Sequence, residues 1–265
     1  MNPMLLAIDI GNTNVVAGIF DGSTLLTHWR LATDSKTTAD EYGVLCLSLM
    51  ARDGRLPQQI TGAIISSVVP ALTETFESMV EMSFGCTPIT VSPDMDTGLT
   101  LKYSNPKEIG SDRIVNAAAA YEKFHRDLII VDFGTATTFC AINRDGEYLG
   151  GVIAPGLTIS ADALFARAAK LSKVELTRPK TVIGTDTAGS IQSGLIFGYA
   201  GLVDTLVQRM EREMGRTSYV IATGGLAPVI APEARSIQHI EPFLTLYGLE
   251  LLYRRARGAS LTQWA

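Results

Sequence analysis

The stretch Leu5–Phe20 reads Leu-Leu-Ala-Ile-Asp-Ile-Gly-Asn-Thr-Asn-Val-Val-Ala-Gly-Ile-Phe. An apolar run leads to Asp9, a turn of small polar residues around Gly11 follows, and a second apolar run ends at Asp21-Gly22. Apolar runs bounded by turn formers are typical of buried strands, and Asp-Gly between two such runs indicates a hairpin. Backbone N–H groups in such a turn form an anion site, and a neighbouring carboxylate can hold a cation. The stretch therefore predicts a strand–turn–strand unit suited to a nucleotide phosphate with its metal.

The same pattern returns at Leu128–Asn143, which reads Leu-Ile-Ile-Val-Asp-Phe-Gly-Thr-Ala-Thr-Thr-Phe-Cys-Ala-Ile-Asn. Asp132 and Gly134 stand where Asp9 and Gly11 stand in the first copy. This shared spacing favours an internal duplication, in which each half offers an acidic strand–turn to a common cleft. From these residues alone, the alternative is two unrelated strand ends with solvent-exposed aspartates.

The length of the chain agrees with a duplicated α/β protein. At 265 residues the chain suits one large or two modest domains, since a domain has about 150 residues. We therefore expect two similar half-domains, 1–115 and 116–265. In each half, strands come first and helices follow, which is the order expected of an α/β fold.

Composition excludes several classes of function. The net charge is −5 and the longest basic block is Arg254-Arg255, which argues against a nucleic-acid partner and against a polybasic membrane patch. Three cysteines, Cys46, Cys86 and Cys140, have no CxxC spacing and are typical of reduced thiols in a cytoplasmic protein. No leader-like N-terminus is present, and no apolar run approaches the ~20 residues that span a bilayer. We expect a soluble, cytoplasmic protein.

Turn and cap signals extend the pattern along the chain. A helix is expected after Thr38, another from Pro70, and another from Gly110. The polar segment 92–112 between them is predicted to be a long functional or mobile loop. Further strands are predicted at 24–31, 62–69, 88–91, 147–154 and 219–222, and further helices after 156, at 188–214 and from 242.

The phosphate-binding motifs of other nucleotide proteins are missing. There is no GxxxxGK[ST] loop, and no GxGxxG follows a strand, so a P-loop is excluded and a dinucleotide site is disfavoured. A further glycine turn, Thr223-Gly224-Gly225, follows a predicted strand. In duplicated folds of this kind such a turn lies against adenosine, whereas simple capping of the next helix is the alternative.

Asp112 is the candidate general base. Phosphoryl transfer needs positioning and charge neutralisation, with one carboxylate that accepts the proton of the attacking alcohol. In the first turn of a helix, Asp112 is expected to be kept ionised by the helix dipole. Arg113 beside it could hold a carboxylate or phosphate bidentately. An Asp112 that only caps its helix, with Arg113 as a surface charge, remains open from these residues alone.

Five motifs together resemble the type III pantothenate kinases, which are bacterial enzymes of the acetate kinase, sugar kinase and actin superfamily. The resemblance runs from about Leu5 to Tyr253, in the family's order. The motifs are Asp9-Ile10-Gly11-Asn12-Thr13-Asn14, Tyr103-Ser104-Asn105-Pro106, Gly110-Ser111-Asp112-Arg113, Asp132-Phe133-Gly134-Thr135-Ala136-Thr137-Thr138 and Thr223-Gly224-Gly225.

The resemblance implies a duplicated actin-like (ribonuclease H-like) ATPase fold with two half-domains around a nucleotide cleft. It also implies ATP-dependent phosphorylation of pantothenate to 4′-phosphopantothenate, the first step of coenzyme A synthesis. The implied cofactors are magnesium with ATP and a monovalent cation, potassium or ammonium. The implied assembly is a homodimer.

Site residues follow from the resemblance by position. Asp112 would be the base, Asp132 would bind the monovalent cation, and Asp9 would lie near magnesium. The residues implied to contact ATP are Asp9, Ile10, Gly11, Asn12, Thr13, Asn14, Val15, Val16 and Thr135. The residues implied to hold pantothenate are Tyr103, Gly110, Ser111, Asp112, Arg113 and Thr187.

The sequence departs from the family pattern at three positions. Cys140 replaces an aspartate on a strand expected to face away from the phosphates, Asp186 replaces an asparagine beside Thr187, and Ser111 replaces an alanine. Two alternative functions were weighed. A kinase for another small alcohol or acid is disfavoured by Tyr103 and by the motif Gly110–Arg113. A nucleotide-binding accessory or regulatory protein is disfavoured because all three key aspartates are present.

Overall fold

Two mixed β-sheets organise the residues that this computed structural model describes, 3–168 and 171–258. The strands, in chain order, are β1 (Met4–Ile10), β2 (Asn14–Asp21), β3 (Thr24–Ala32), β4 (Ile60–Ser67), β5 (Ile89–Thr90), β6 (Thr100–Leu101), β7 (Leu128–Phe133), β8 (Ala136–Ile142), β9 (Glu147–Pro155), β10 (Tyr219–Thr223) and β11 (His239–Ile240). The helices are α1 (Ala39–Arg52), α2 (Pro70–Phe84), α3 (Ser111–Phe124), α4 (Leu157–Arg167), α5 (Thr187–Met214), α6 (Ala227–Ile230) and α7 (Leu244–Ala256).

The two sheets share one strand order, which confirms the duplication expected from the repeated motif. The first sheet runs β3-β2-β1-β4-β5, and the second runs β9-β8-β7-β10-β11, with β6 added beyond β9. In each sheet the first two strands form an antiparallel hairpin, and the first strand pairs in parallel with the fourth. Asp9 is thereby paired with Ser66 on β4, and Asp132 is paired with Thr223 on β10.

The chain forms two compact units. The first contains the described residues up to Leu99, the segment Ser104–Lys123 and the described residues from Leu244 onward. The second contains Thr100–Tyr103 and Phe124–Phe243. These units divide the chain differently from the expected halves 1–115 and 116–265. The difference arises because α3 and α7 pack on each other in the first unit, where position 248 lies against the backbone of Val115.

The core of the first unit lies between its sheet and helices α1 and α2. Leu6, Ile8 and Ile10 of β1 are fully buried and belong to one apolar cluster with Tyr42 and Phe76 from the two helices. Helix α1 begins where the sequence predicts, because Thr38 and Glu41 form a capping box. Helix α2 begins at Pro70, which occupies the first helical position that proline tolerates.

Helix α5 is the core helix of the second unit. It is the one helix among the described residues that is long and apolar enough to cross a membrane by length and composition. Its Ile196 and Val203 are fully buried in an apolar cluster with β7 residues such as Ile129 and Val131. This packing accounts for the apolar character of α5, because a helix buried in a protein core also passes the length and composition test for a membrane span.

Strands β6 and β11 are short elements that the sequence did not predict, whereas the equally short β5 lies within the strand predicted at 88–91. Strand β6 falls inside the segment 92–112, which was expected to be a loop, and it joins β9 of the second unit. Strand β11 pairs with β10 over two residues only. Strands of this length carry too few residues to show an alternating pattern, so their pairing depends on long-range contacts.

Candidate active site

The first acidic turn is held from behind by a threonine at the end of β3. The backbone N–H of Gly11 donates to the carbonyl of Asn14 at 3.0 Å and closes the turn. Thr33 donates its hydroxyl to the carbonyl of Gly11 at 2.7 Å and its N–H to the carbonyl of Thr13 at 3.1 Å. Asp9 is half-buried at the entry to this turn. The turn thus has a fixed backbone next to a partly exposed carboxylate, as an anion site with a cation requires.

The predicted ATP contacts around this turn differ in what they expose. Asn12 and Thr13 are exposed, and Gly11 and Asn14 are half-buried. Ile10 and Val15 are fully buried and face the core. Only the backbone of these two residues is therefore positioned to meet a ligand.

A hydroxyl network joins the first turn of α3 to the end of β4. Ser111 Oγ lies 2.9 Å from Ser66 Oγ and donates to the carbonyl of Ser67 at 2.9 Å. Ser66 is fully buried and is the parallel partner of Asp9. The start of α3, which carries Asp112, is therefore fixed relative to the acidic end of β1. The hydroxyl of Ser111 serves this anchoring.

Asp112 lies inside the first turn of α3, where its Oδ1 accepts the backbone N–H of Arg113 at 2.7 Å. Burial raises the pKa of the Asp112 carboxyl, against the lowering effects of the Arg113 N–H and of the Arg113 charge. Desolvation therefore outweighs the effects that lower the pKa and sets the direction of the shift. A carboxyl with a raised pKa is a better proton acceptor, which suits a general base.

Gly110 makes room for this carboxylate. A Cβ at position 110 would lie 2.5 Å from Oδ1 of Asp112, which is closer than real contacts allow. Arg113 is buried, with 6% of its surface exposed, so the alternative of a surface charge at this position is wrong. A charged side chain is seldom buried unless it is paired or serves a ligand, so Arg113 is part of the site's structure or its recognition.

The second acidic turn is enclosed by glycines from two other segments. Asp132 is half-buried and is followed by Phe133 and Gly134. Gly224 has φ +90°, and a Cβ there would lie 2.5 Å from Asp132 Oδ1 and 2.7 Å from the backbone of Phe133. A Cβ at Gly156, before α4, would lie 2.7 Å from the carbonyl oxygen of Gly134 and closer still to that of Thr135. Positions 156 and 224, which pack against this turn, therefore have room only for glycine.

This packing decides between the two interpretations of the Thr223-Gly224-Gly225 turn. Helix α6 is capped at Leu226 without a side-chain hydrogen bond, so capping does not explain the motif. Thr223 is buried and paired with Asp132, and Gly224 lies on that aspartate. The motif is part of the second acidic turn's surroundings.

Tyr103 and Thr187, the other predicted substrate contacts, belong to the second unit. The Tyr103 ring lies 6.3 Å from the buried Tyr148 ring and packs over Gly150, whose φ is +125°. Thr187 is the exposed first residue of α5. It lines a cavity of about 640 Å³ together with residues of α4, the preceding loop and α5, namely Leu164, Leu171, Gly184, Thr185, Asp186, Ser190, Ile191, Gly194 and Leu195.

Two of the departures from the family pattern have structural roles. Asp186 is the N-cap of α5, and its Oδ1 accepts the N–H of Gly189 at 2.7 Å. Cys140 is buried, and its Sγ accepts a hydrogen bond from the hydroxyl of Tyr148 at 3.4 Å. Because an N-cap prefers Asp as well as Asn, position 186 keeps its helix-starting function.

Sequence reasoning missed three residues that shape the site. Thr33, Ser66 and Gly156 hold or accommodate the acidic turns, yet none belongs to the motifs that were singled out. A hydroxyl at the end of a strand, and a glycine after Pro155 at a helix start, are the signals that could have found them. Within 3–168 and 171–258, no group of three or more His, Cys, Asp or Glu side chains gathers into a metal site.

Comparisons with known proteins agree with this geometry. The family model of type III pantothenate kinase matches residues 5–209. The type III pantothenate kinase of Geobacter sulfurreducens is 53% identical over 254 residues, which cover 96% of this chain and 100% of that protein. The enzyme of the same description from Myxococcus xanthus is 50% identical over 252 residues, covering 95% of this chain and 98% of the relative.

Solved structures show the same fold at low sequence identity. A crystal structure from Campylobacter jejuni, assigned to the Baf family of transcriptional activators, has a TM-score of 0.62 at 18% identity and covers 96% of this chain and 99% of its own. The inorganic polyphosphate/ATP-glucomannokinase of Arthrobacter sp. strain KM has a TM-score of 0.52 at 16% identity, with 97% and 100% covered. These neighbours have the actin-like ATPase and sugar kinase fold, which confirms the predicted fold class.

Proposed function

This chain belongs to the type III pantothenate kinase family, and we propose from that premise that it transfers the γ-phosphoryl group of ATP to the hydroxyl of pantothenate. The product, 4′-phosphopantothenate, would enter coenzyme A synthesis. The observation that carries the proposal is the arrangement of Asp112, which is half-buried, anchored through Ser111 to the strand end beside Asp9, and given a raised pKa by desolvation. This is the placement that a general base in phosphoryl transfer needs.

Asp112 would accept the proton of the pantothenate hydroxyl as its oxygen attacks phosphorus. The Asp112 carboxyl is desolvated, so it holds the proton better than a surface carboxylate would. Its Oδ1 is oriented by the Arg113 N–H, which leaves Oδ2 as the oxygen that would face the alcohol. The buried guanidinium of Arg113, with Gly110 and Ser111 before it, would orient the substrate.

The two acidic turns would serve ATP and its cations. The turn after Asp9 would hold phosphates through backbone N–H groups, and Thr135 would add a contact from the second turn. Asp9 fits magnesium and Asp132 fits a monovalent cation, because each is a half-buried carboxylate with hard oxygen donors next to a glycine turn. When bound, these cations neutralise phosphate charge. Gly224 and Gly156 keep the second turn open by the absence of their side chains.

Tyr103 and Thr187 are proposed to contact pantothenate from the second unit. Pantothenate carries two methyl groups, one amide and a carboxylate, so an aromatic face and a hydroxyl suit it. The support from the structure is that Tyr103 is held by its packing on Gly150 and near Tyr148. Thr187 stands at the N-terminus of a long helix, where anionic groups are favoured.

We further propose a cytoplasmic homodimer. Six large apolar side chains of the second unit are exposed, and they form a group that we call the apolar face: Leu149, Ile153, Ile159, Leu164, Val182 and Ile183. Large exposed apolar side chains are suited to an interface in a soluble protein, because association removes them from water. Cys46, Cys86 and Cys140 are free thiols, as expected in a reducing compartment.

The test is ADP release by the purified protein with magnesium-ATP and pantothenate, in potassium and again in sodium. We expect turnover in potassium, loss of turnover in sodium, and a fall of about 10²–10⁴-fold in the Asp112→Asn variant. Folded protein that binds ATP but releases no pantothenate-dependent ADP in either salt would contradict the kinase proposal. Equal turnover in both salts would contradict only the proposal that Asp132 binds a monovalent cation, and not the kinase proposal.

A further inference from the structure

A second concave site lies at the end of the second unit's sheet that is opposite its acidic turn. A cavity of about 340 Å³ is lined by His125, Arg126, Asp127, Arg144 and Thr217. Strand β7 begins next to it at Leu128 and reaches Asp132 at its other end. With about 3.3 Å per residue, the cavity lies roughly 15 Å from the acidic turn. It is therefore separate from the acidic turn of the second unit.

Two arginines line this cavity and a third borders it, although the whole chain has a net charge of −5. Arg126 and Arg144 line the cavity, and Arg216 reaches Asp127, which is the one carboxylate among the lining residues. Two further acidic residues are near. Glu211 accepts the backbone N–H of Ser218 at 2.7 Å, and Asp145 is exposed in the adjoining hairpin turn.

Asp127 acts as a clamp for two guanidinium groups. It is buried, with 7% of its surface exposed. Its Oδ2 accepts Nε and Nη2 of Arg144 at 3.2 and 2.9 Å, and its Oδ1 accepts the Arg144 backbone N–H at 3.0 Å and Nη1 of Arg216 at 3.3 Å. One carboxylate thus fixes two arginines and neutralises one of their two charges. Arg216 uses one of its five N–H donors in this contact.

Arg126 is oriented by a cation–π contact rather than by a carboxylate. Its guanidinium lies 4.7 Å from the centre of the Tyr219 ring, which itself stacks with the rings of Phe124 and His239. A guanidinium on an aromatic face keeps its N–H edge available for a planar or tetrahedral anion. The contacts with Asp127 explain Arg144 as a residue that stabilises the hairpin. Arg126 has no such contact with Asp127 and lines the same cavity.

We propose that this cavity binds a phosphoryl group, carried by a small phosphate ester or by inorganic phosphate, through the guanidinium of Arg126, which lines the cavity, and that of Arg216, which is held by the lining residue Asp127. Arginines held by a carboxylate or an aromatic ring lose little freedom on binding, so bidentate contacts with phosphate oxygens are favoured. Thr217 adds a hydroxyl to the lining of the cavity. Occupation of the cavity would leave the reacting groups untouched and could set the protein's response to a phosphorylated metabolite.

The test is calorimetric titration of the full-length protein with inorganic phosphate and, separately, with glycerol 3-phosphate, in a chloride buffer. The variants are Arg126→Ala, Arg126→Lys and Arg216→Gln. The matched control is Arg52→Ala, which removes an exposed arginine that is paired with Asp53 in the first unit. Binding of phosphate at the nucleotide turns would be the same in all of these proteins, so the effect of the variants isolates the cavity.

We expect saturable binding that Arg126→Ala and Arg216→Gln each weaken by about tenfold or more, since hydrogen bonds to charged groups are the strong ones. The phosphate affinity of Arg126→Lys should lie between those of Arg126→Ala and the natural protein, because lysine keeps the positive charge but cannot make the bidentate contact of a guanidinium. Tighter binding of glycerol 3-phosphate would identify an ester as the occupant, and tighter binding of inorganic phosphate would identify the free ion. Absence of saturable binding, or one affinity for all variants, would overturn the proposal.

Discussion

Gly110 and Asp112 are coupled at the scale of single residues, because the position of the carboxylate depends on the missing side chain two residues earlier. A Cβ at position 110 would be in ordinary contact with Cγ1 of Val68 at 3.5 Å but only 2.5 Å from Oδ1 of Asp112, so the carboxylate is the group with which it conflicts. The network of Ser111 with Ser66 and Ser67 holds the helix start in place. The carboxylate must therefore move rather than the helix.

Gly110→Ala is predicted to lower kcat by about 10²-fold, because a displacement of about 1 Å of a catalytic group has costs of this order. The measurement is steady-state ADP release, together with thermal unfolding to confirm that the variant is folded. Gly201→Ala in α5 is the control, since a Cβ there has no neighbour within 4 Å. Normal turnover of Gly110→Ala would show that the Asp112 carboxylate is not the group that must be placed accurately.

Asp112 is predicted to lower the stability of the protein at neutral pH. Its folded pKa is raised by burial above the unfolded value, so its favourable contribution is complete below the unfolded pKa and is lost as the pH rises through the folded pKa. Asp112→Asn removes the buried charge and keeps an oxygen for the Arg113 N–H. The variant should therefore be inactive and have a higher Tm than the natural protein.

The measurement is Tm for both proteins at about pH 7 and about pH 4, where the carboxyl becomes protonated and the difference should shrink. A constant difference in Tm would mean that the substitution acts through packing. A lower Tm for Asp112→Asn at both pH values would contradict the prediction. The same raised pKa should move the acid limb of kcat/KM above the usual range of an aspartate.

At the scale of elements, the C-terminal helix completes the unit that contains the base. Gly248 of α7 faces α3, and a Cβ there would lie 2.4 Å from the carbonyl oxygen of Val115 and 2.6 Å from its Cγ1. Thr245 adds a hydrogen bond to Oδ1 of Asn116 at 2.8 Å. A close helix contact of this kind depends on a glycine, since the obstructing atom is backbone and cannot rotate away.

Gly248→Ala is predicted to destabilise the first unit by about 1–3 kcal/mol, which is the usual effect of overpacking. Urea unfolding monitored by circular dichroism measures the change. Gly198→Ala in α5 is the matched helical control, because it has open space and should be neutral or slightly stabilising. If Gly248→Ala were as stable as that control, α3 and α7 would have to be free to move apart.

The elements that depend on patterns within a few residues were predicted from the sequence. Those that depend on contacts between residues far apart in the chain were missed. The two acidic hairpins, the capping box at Thr38 and the start of α2 at Pro70 follow from patterns within a few residues. The assignment of α7 to the first unit does not, because the glycine that permits it has its partner on another helix. The burial of Arg113 was likewise invisible, since charge alone predicts exposure.

At the scale of the whole molecule, the apolar face of the second unit is the strongest argument for the proposed dimer. Ile153 and Ile183 are 63% and 81% exposed, and Leu149, on the same strand as Ile153, is 39% exposed. Leu164 and Gly184 line one cavity, which places α4 next to the segment that carries Ile183. A face of this size on one unit is covered most simply by the same face of a second copy, as in an isologous dimer.

The double variant Ile153→Asp, Ile183→Asp is predicted to be a monomer. Light scattering after size exclusion should give about twice 28.4 kDa for the natural protein and 28.4 kDa for the variant. Two buried charges on each side of the interface are costly, so dissociation is expected at micromolar concentration. Val44→Asp is the control, because Val44 is 64% exposed on the first unit and should leave the dimer intact. A dimer that persists in the double variant, or that is lost in Val44→Asp, would place the interface elsewhere.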